Sequence, residues 1–215
     1  LGSTLYNFKS TRSVTLEMMI KHSISVREGI TNSLMVVDMP YNSYNKPSQA
    51  LKNCKEVMKL TKCDAVKIEG GLKKIKIIKY LIKNKVPVMG HLGILPQSTK
   101  GKFKSKGRSI NERKELIRDC KLLEDAGVFS IVLECVETKL ASHITNLIKI
   151  PTIGIGSSNN CDGQILVTDD ILGLTDSKMK FVKKFVDVNR LIDIGAKKFK
   201  KEVISKKYPL KKHSY

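Results

Sequence analysis

There is no tryptophan in this sequence, aromatic residues make up only 6% of it, and just six of its forty basic residues are arginine. Single-stranded nucleic acid is held on exposed aromatics, and base edges are read with arginine's planar fork. With both scarce, a formal net charge of +20 does not point to a nucleic-acid partner. The other 34 basic residues are lysines spread along nearly the whole chain, densest in 100–106 and after 197. Lysine, isoleucine (22) and asparagine (11) share A/T-rich codons, so drift in genome composition accounts for the charge. Cysteine is sparse too: five residues, an odd number, with no C-x-x-C pair. That argues against a disulfide framework and a structural zinc site, and favours a reducing, cytoplasmic setting with the thiols as small buried hydrophobes. No apolar run exceeds strand length, so no membrane span is expected, and no basic-plus-apolar leader opens the chain. The first residue is Leu1 rather than methionine, which suggests a fragment or a trimmed product.

Short apolar runs alternate with amphipathic stretches. Leu34-Met35-Val36-Val37 ends in Asp38, Ala65-Val66-Lys67-Ile68 in Glu69, and Val86-Pro87-Val88-Met89 leads to Gly90-His91. Ser130-Ile131-Val132-Leu133 ends in Glu134, Ile150-Pro151-Thr152-Ile153 leads to Gly154, and Gln164-Ile165-Leu166-Val167 ends near Asp169. Runs this short and this rich in valine and isoleucine fit buried parallel strands. Helices are predicted between and after them, over 16–28, 48–60, 72–84, 111–126 with Gly127 as C-cap, 139–148 and 179–206. The repeating order predicts an α/β fold with a parallel sheet, and no shift in composition divides 1–215, so one domain is expected.

A polar residue or glycine stands at the C-terminal end of nearly every strand: Asp38, Glu69, His91, Glu134, Gly154. In a (β/α)8 barrel those ends converge on one mouth, where such folds do their chemistry. An open doubly wound sheet gathers them only at its switch point, and the chain has no G-x-G-x-x-G after its first strand. Six strands are visible where a barrel has eight and about 250 residues, so the missing part is expected before Leu1. Hard oxygen donors at one mouth suit Mg2+, which takes one or two carboxylates plus waters and substrate oxygens. Lys67, two residues before Glu69, faces the same side of its strand and could meet an anionic substrate there. For any one carboxylate, pairing with a lysine or capping a helix remains the plainer alternative, as a hydrogen-bonded structural role does for His91.

Seven segments together resemble the ketopantoate hydroxymethyltransferase family: Val37-Asp38-Met39-Pro40-Tyr41, Lys67-Ile68-Glu69-Gly70-Gly71, Pro87-Val88-Met89-Gly90-His91-Leu92-Gly93, Pro96-Gln97-Ser98, Val132-Leu133-Glu134-Cys135-Val136, Ile150-Pro151-Thr152-Ile153-Gly154-Ile155-Gly156, and Cys161-Asp162-Gly163-Gln164-Ile165-Leu166-Val167. Their order and spacing follow the family from Leu1 to about residue 207. The resemblance implies a (β/α)8 barrel of the phosphoenolpyruvate/pyruvate superfamily type lacking its first two strands here, dependent on Mg2+, and a homo-oligomer, commonly a decamer. The implied reaction is hydroxymethyl transfer from 5,10-methylenetetrahydrofolate to a 2-keto acid, 3-methyl-2-oxobutanoate, giving 2-dehydropantoate for pantothenate biosynthesis through a Mg-stabilised enolate. It further implies that Asp38 contacts metal and substrate, Glu69 is a second metal ligand, Lys67 contacts the keto acid, Glu134 is the proton acceptor, and His91 belongs to the substrate site.

The family pattern places Gly-Asp-Ser just before the Leu-Gly that matches Leu1-Gly2, so one metal ligand and one substrate contact are not among these 215 residues. That leads to the expectation that the 215 residues alone fold poorly and are nearly inactive. Ser157-Ser158 stands where the family usually has Ala-Gly, and the lysine-rich 100–106 where it has Gly-Tyr-Lys. The competing readings are a C–C lyase of the same superfamily, such as a phosphonopyruvate or 2-methylisocitrate lyase, and a non-catalytic relic serving as an interaction module. Retention of Asp38, Lys67, Glu69, His91 and Glu134 weighs against the relic.

Overall fold

A computed structural model describes residues 1–98 and 104–215. Their elements, in chain order, begin with α1 (Gly2–Leu5), a 3-10 turn (Thr11–Ser13) and α2 (Leu16–Gly29). Then come β1 (Val36–Asp38), α3 (Pro47–Thr61), β2 (Ala65–Glu69), a 3-10 turn (Leu72–Lys74) and α4 (Ile75–Lys83). β3 (Val88–Gly93), α5 (Ile110–Ala126), β4 (Ser130–Glu134), α6 (Thr138–Leu147), β5 (Thr152–Ile155) and β6 (Gly163–Gln164) follow. The last are α7 (Thr168–Ile171), α8 (Val188–Ile204) and a 3-10 turn (Lys211–His213). The chain divides into two compact units, Leu1–Ile165 and Leu166–Tyr215.

In the first unit all six expected strands are present and pair in parallel in sequence order, β1 through β6. Sequential parallel order with a helix between most neighbours is the winding of a (β/α) barrel, and the six strands form a half-barrel. Among the described residues nothing pairs with the outer edges of β1 and β6. The helices begin and stop where local chemistry dictates. Pro47 opens α3, Thr15 accepts from the Met18 N–H to cap α2, and Gly127 ends α5 at φ 91°.

Several element boundaries differ from expectation. Residues 72–74 wind as a 3-10 turn before α4. The last long helix starts at Val188 rather than near 179, because Asp187 accepts from the Arg190 N–H and fixes the start there. β6 holds only two residues, Gly163 and Gln164, of the run that continues to Val167.

Register decides which side chains meet. Paired residues of parallel strands point to the same face, and the face alternates with every residue. Val37, Val66, Ile68, Val88, Leu92, Ile131 and Leu133 point outward to the helices, where they pack with Val57, Ile78, Leu81, Leu123, Leu140 and Ile144 in one buried core. The opposite parity carries the polar set. Asp38 pairs with Lys67, Glu69 with His91, and Gly93 with Glu134, so Asp38, Lys67, Glu69, His91 and Glu134 all face inward. One apolar face thus stabilises the sheet and leaves the other free for chemistry. Four of the five cysteines are buried and all five are free thiols, in keeping with their reading as small hydrophobes.

In the second unit, α7 and α8 are linked through backbone bonds from Phe185 N–H to Ile171 O and from Val188 N–H to Leu172 O. No helix among the described residues is long and apolar enough to cross a membrane.

Candidate active site

The five residues singled out in the sequence lie in one connected cluster at the C-terminal ends of β1 to β4. Asp38, the most exposed of them, receives the Lys67 ammonium at 3.1 Å from its Oδ1. The same Lys67 Nζ stands 3.2 Å from His91 Nδ1. An ammonium can only donate, so Nδ1 must accept and the proton of the neutral ring sits on Nε2. His91 is 2% exposed. Burial, then the nearby Lys67 charge, push its pKa below the ordinary histidine value, which keeps the ring neutral. Its Nε2 lies 3.1 Å from Glu134 Oε2 but off the line of a hydrogen bond, so this buried N–H has no aligned acceptor among the described residues.

Glu69 lies 3.9 Å from His91 Nδ1 through Oε1 and accepts the Gln97 backbone N–H at 3.1 Å through Oε2. At 8% exposure its carboxyl is pushed up to about 7 by burial, against the lowering pull of Lys67 and the Gln97 N–H. Asp38 and Glu134 push it further in the same direction. The Glu134 side chain is 19% exposed and turned toward His91. Asp38, Lys67, His91 and Glu134 therefore form one chain of contacts, with Glu69 against its middle.

β4 is held tightly where Glu134 leaves it. The Ser157 hydroxyl donates to Leu133 O at 2.7 Å and accepts from the Val136 N–H at 3.0 Å, so this departure from the family pattern braces the backbone on both sides of Glu134. Lysines 100 and 102 of the other departure lie outside the described residues. Gly93 sits at φ 97°, and a Cβ built on it would collide with the carbonyl oxygen of Glu134. Gly93→Ala is expected to cost about 2 kcal/mol or more of stability and to displace Glu134. A thermal melt checks the first effect, and an unchanged melting temperature would count against the close approach.

Sequence reasoning assigns no role to Gln97, Tyr44 or Arg12. Gln97 stands in the quoted Pro96-Gln97-Ser98, but nothing in the motif shows what it touches. Its side-chain Oε1 accepts from Tyr44 OH and its Nε2 donates to Met39 O, both at 2.8 Å, and Arg12 Nε donates to its carbonyl at 2.8 Å. Burial pushes the Tyr44 phenol up, so it stays a donor.

Among the described residues no group of three or more histidine, cysteine, aspartate or glutamate side chains is arranged to hold a metal ion. Two carboxylates are still a fitting donor set for a hard divalent cation, which completes its shell with water and ligand oxygens. The buried Glu69, costly to ionise in this setting, is a charge that such a cation would offset.

A wound parallel sheet with acids, a lysine and a buried histidine gathered at its strand ends defines an enzyme of the barrel class. The fold is similar to that of 2,3-dimethylmalate lyase, a PEP mutase/isocitrate lyase superfamily member, at TM-score 0.57 and 12% identity, covering all of this chain and 75% of that one. Residues 1–211 match the ketopantoate hydroxymethyltransferase family. The chain is 62% identical over its full 215 residues to 3-methyl-2-oxobutanoate hydroxymethyltransferase of Pelagibacter ubique, covering 83% of that protein. It is 45% identical over 219 aligned positions to the enzyme of the same name from Clostridium novyi, covering all of this chain and 80% of that protein. This chain belongs to the ketopantoate hydroxymethyltransferase family.

Proposed function

We propose that the protein transfers a one-carbon unit from 5,10-methylenetetrahydrofolate to 3-methyl-2-oxobutanoate, with water supplying the hydroxyl oxygen, to give 2-dehydropantoate and tetrahydrofolate. The observation that carries this reading is the unbroken series Asp38, Lys67, His91, Glu134, with contacts of 3.1, 3.2 and 3.1 Å. It supports a role for Lys67 as the cation that meets the keto acid's carboxylate and for Glu134, at the far end of the series, as the proton acceptor. Glu134 takes the C3 proton of the keto acid, and the electron pair left on C3 forms the new C–C bond to the folate's methylene carbon. That carbon's two C–N bonds break, one replaced by the C–C bond and one by the bond to the water oxygen. The C3 proton and one water proton end on the two folate nitrogens. Lys67 offsets the substrate's charge. His91 is too buried to lie open to solvent and serves the substrate through its two neighbours, holding Lys67 at one nitrogen and facing Glu134 with the other.

Asp38 and Glu69 are the residues that would hold Mg2+, with Asp38 also touching the substrate. When bound, Mg2+ acts as a Lewis acid toward a keto oxygen, which makes the neighbouring C–H easier to ionise. The family match runs unbroken across Ile165, which supports reading the two compact units as one domain. Five free thiols support a reducing cytoplasmic setting. The exposed Leu191, Ile192 and Phe199 of α8 support association into a homo-oligomer.

Protein extended ahead of Leu1 by the Gly-Asp-Ser segment of the family pattern, incubated with 3-methyl-2-oxobutanoate, methylenetetrahydrofolate and Mg2+, is expected to form 2-dehydropantoate, and chelation with EDTA to abolish it, whereas the 215 residues alone are expected to form little. Cleavage of 2-methylisocitrate or phosphonopyruvate, with no folate-dependent product, would show instead the lyase chemistry of the wider superfamily.

A further inference from the structure

We propose that Gln97 is a positioning residue that locks Asp38 and Glu69 into the geometry of a shared cation site; this rests on the reading of those two carboxylates given above. Gln97 is 8% exposed, and each of its four polar groups is engaged by a different residue. Its N–H donates to Glu69 Oε2 at the end of β2. Its Nε2 donates to the carbonyl of Met39, the residue directly after Asp38. Its Oε1 accepts from Tyr44 OH in the loop beyond β1, and its carbonyl accepts from Arg12 Nε ahead of α2. The partners lie 28, 58, 53 and 85 residues away in sequence, so one residue in the loop after β3 ties three other parts of the mouth together.

The orientation of the amide follows from its partners. A backbone carbonyl can only accept, so the NH2 must face Met39 and the oxygen is left for the phenol. Glu69 is then held through one oxygen alone. With Oε2 occupied by the Gln97 N–H, Oε1 is the atom left on the His91 side, 3.9 Å from Nδ1. At the other carboxylate, the chain leaving Asp38 is fixed twice, by Met39 N–H to Lys67 O at 3.0 Å and by Gln97 to Met39 O. Gln97 touches no reacting atom in this arrangement. It sets where the two oxygen donors stand relative to each other, and partners of metal ligands that do this typically change metal affinity or activity by about 10–100-fold when lost.

The test uses Gln97→Met, which keeps the length and volume of the side chain while removing both amide bonds, and Tyr44→Phe, which removes only the phenol's. Binding of Mn2+ alone is measured by electron paramagnetic resonance, beside kcat and KM for the keto acid and a thermal melt. The expectation is Mn2+ affinity lowered about 10–100-fold in Gln97→Met and less in Tyr44→Phe. The double variant should be no worse than Gln97→Met, because both act through one contact. A lowered melting temperature with wild-type Mn2+ affinity in the folded protein would make Gln97 a merely structural residue and overturn the proposal, as would independent, additive effects of the two substitutions. Should Gln97→Met not fold, Tyr44→Phe decides by itself: unchanged Mn2+ affinity there overturns the role. Wild-type protein that binds no Mn2+ removes the shared cation site and the positioning role with it, and a wild type that binds Mn2+ while the variants match it removes the role alone.

Discussion

Glu134→Gln is expected to lower kcat for hydroxymethyl transfer about 10²–10⁴-fold, the usual worth of a positioned general base, with little change in KM for the keto acid. Glutamine keeps the shape of the side chain and can still face the Nε2–H of His91 through its amide oxygen, 3.1 Å being the separation in the native pair. What it loses is the ability to take a proton. The first half of the reaction can be read without folate: in heavy water the native enzyme should exchange the C3 proton of 3-methyl-2-oxobutanoate for deuterium, and the variant should not. Loss of transfer with retained exchange would assign the base elsewhere in the cluster. Because the side chain is 19% exposed and makes no other polar contact among the described residues, the variant's melting temperature should stay close to the native one, which separates a chemical effect from a folding defect.

The residues that speak most plainly in the sequence are those whose position follows from strand periodicity. An apolar run ending in an acid states both that a strand is present and that its end is polar, which is enough to place Asp38, Glu69 and Glu134. Lys67 follows from Glu69 by a step of two, and register carries the same parity across β2, β3 and β4. His91 is legible as a residue near a strand end, but not as part of β3. The strand runs on to Gly93 because Leu92 and Gly93 pair with Leu133 and Glu134, a long-range match that no local pattern reveals. Gln97, Tyr44 and Arg12 are silent for the same reason in stronger form. They sit in loops, where periodicity carries no information, and the contacts that join them to the mouth span 28 to 85 residues, with no residue-type signature. The short length of β6 and the late start of α8 are likewise set by pairing and capping rather than by propensity.

Glu69→Gln is expected to stabilise the metal-free protein at pH 8 and not at pH 5, an unusual result for replacing a buried polar residue. The sign follows from proton binding. Burial raises the Glu69 carboxyl to about 7 from an ordinary value of 4.5, so between those values the folded state holds a proton that the unfolded state has released. Stability therefore falls as pH rises through that window and levels off above it, where the carboxylate is charged whether the chain is folded or unfolded. At 1.36 kcal/mol per pKa unit, the destabilisation at pH 8 is roughly 3 kcal/mol. The glutamine introduced there would carry no such charge, and its amide oxygen can still accept the Gln97 N–H that Oε2 accepts at 3.1 Å. Melts with EDTA should then cross: native more stable than or equal to the variant at pH 5, less stable at pH 8. Adding Mg2+ at pH 8 should raise the native curve and move the variant's much less, since Asp38 is common to both but the Glu69 charge that the cation offsets belongs to the native chain. If the two proteins instead kept the same stability difference at both pH values, the Glu69 carboxyl would titrate alike in the folded and unfolded chains, and a desolvated carboxylate would not be the group that answers to the cation.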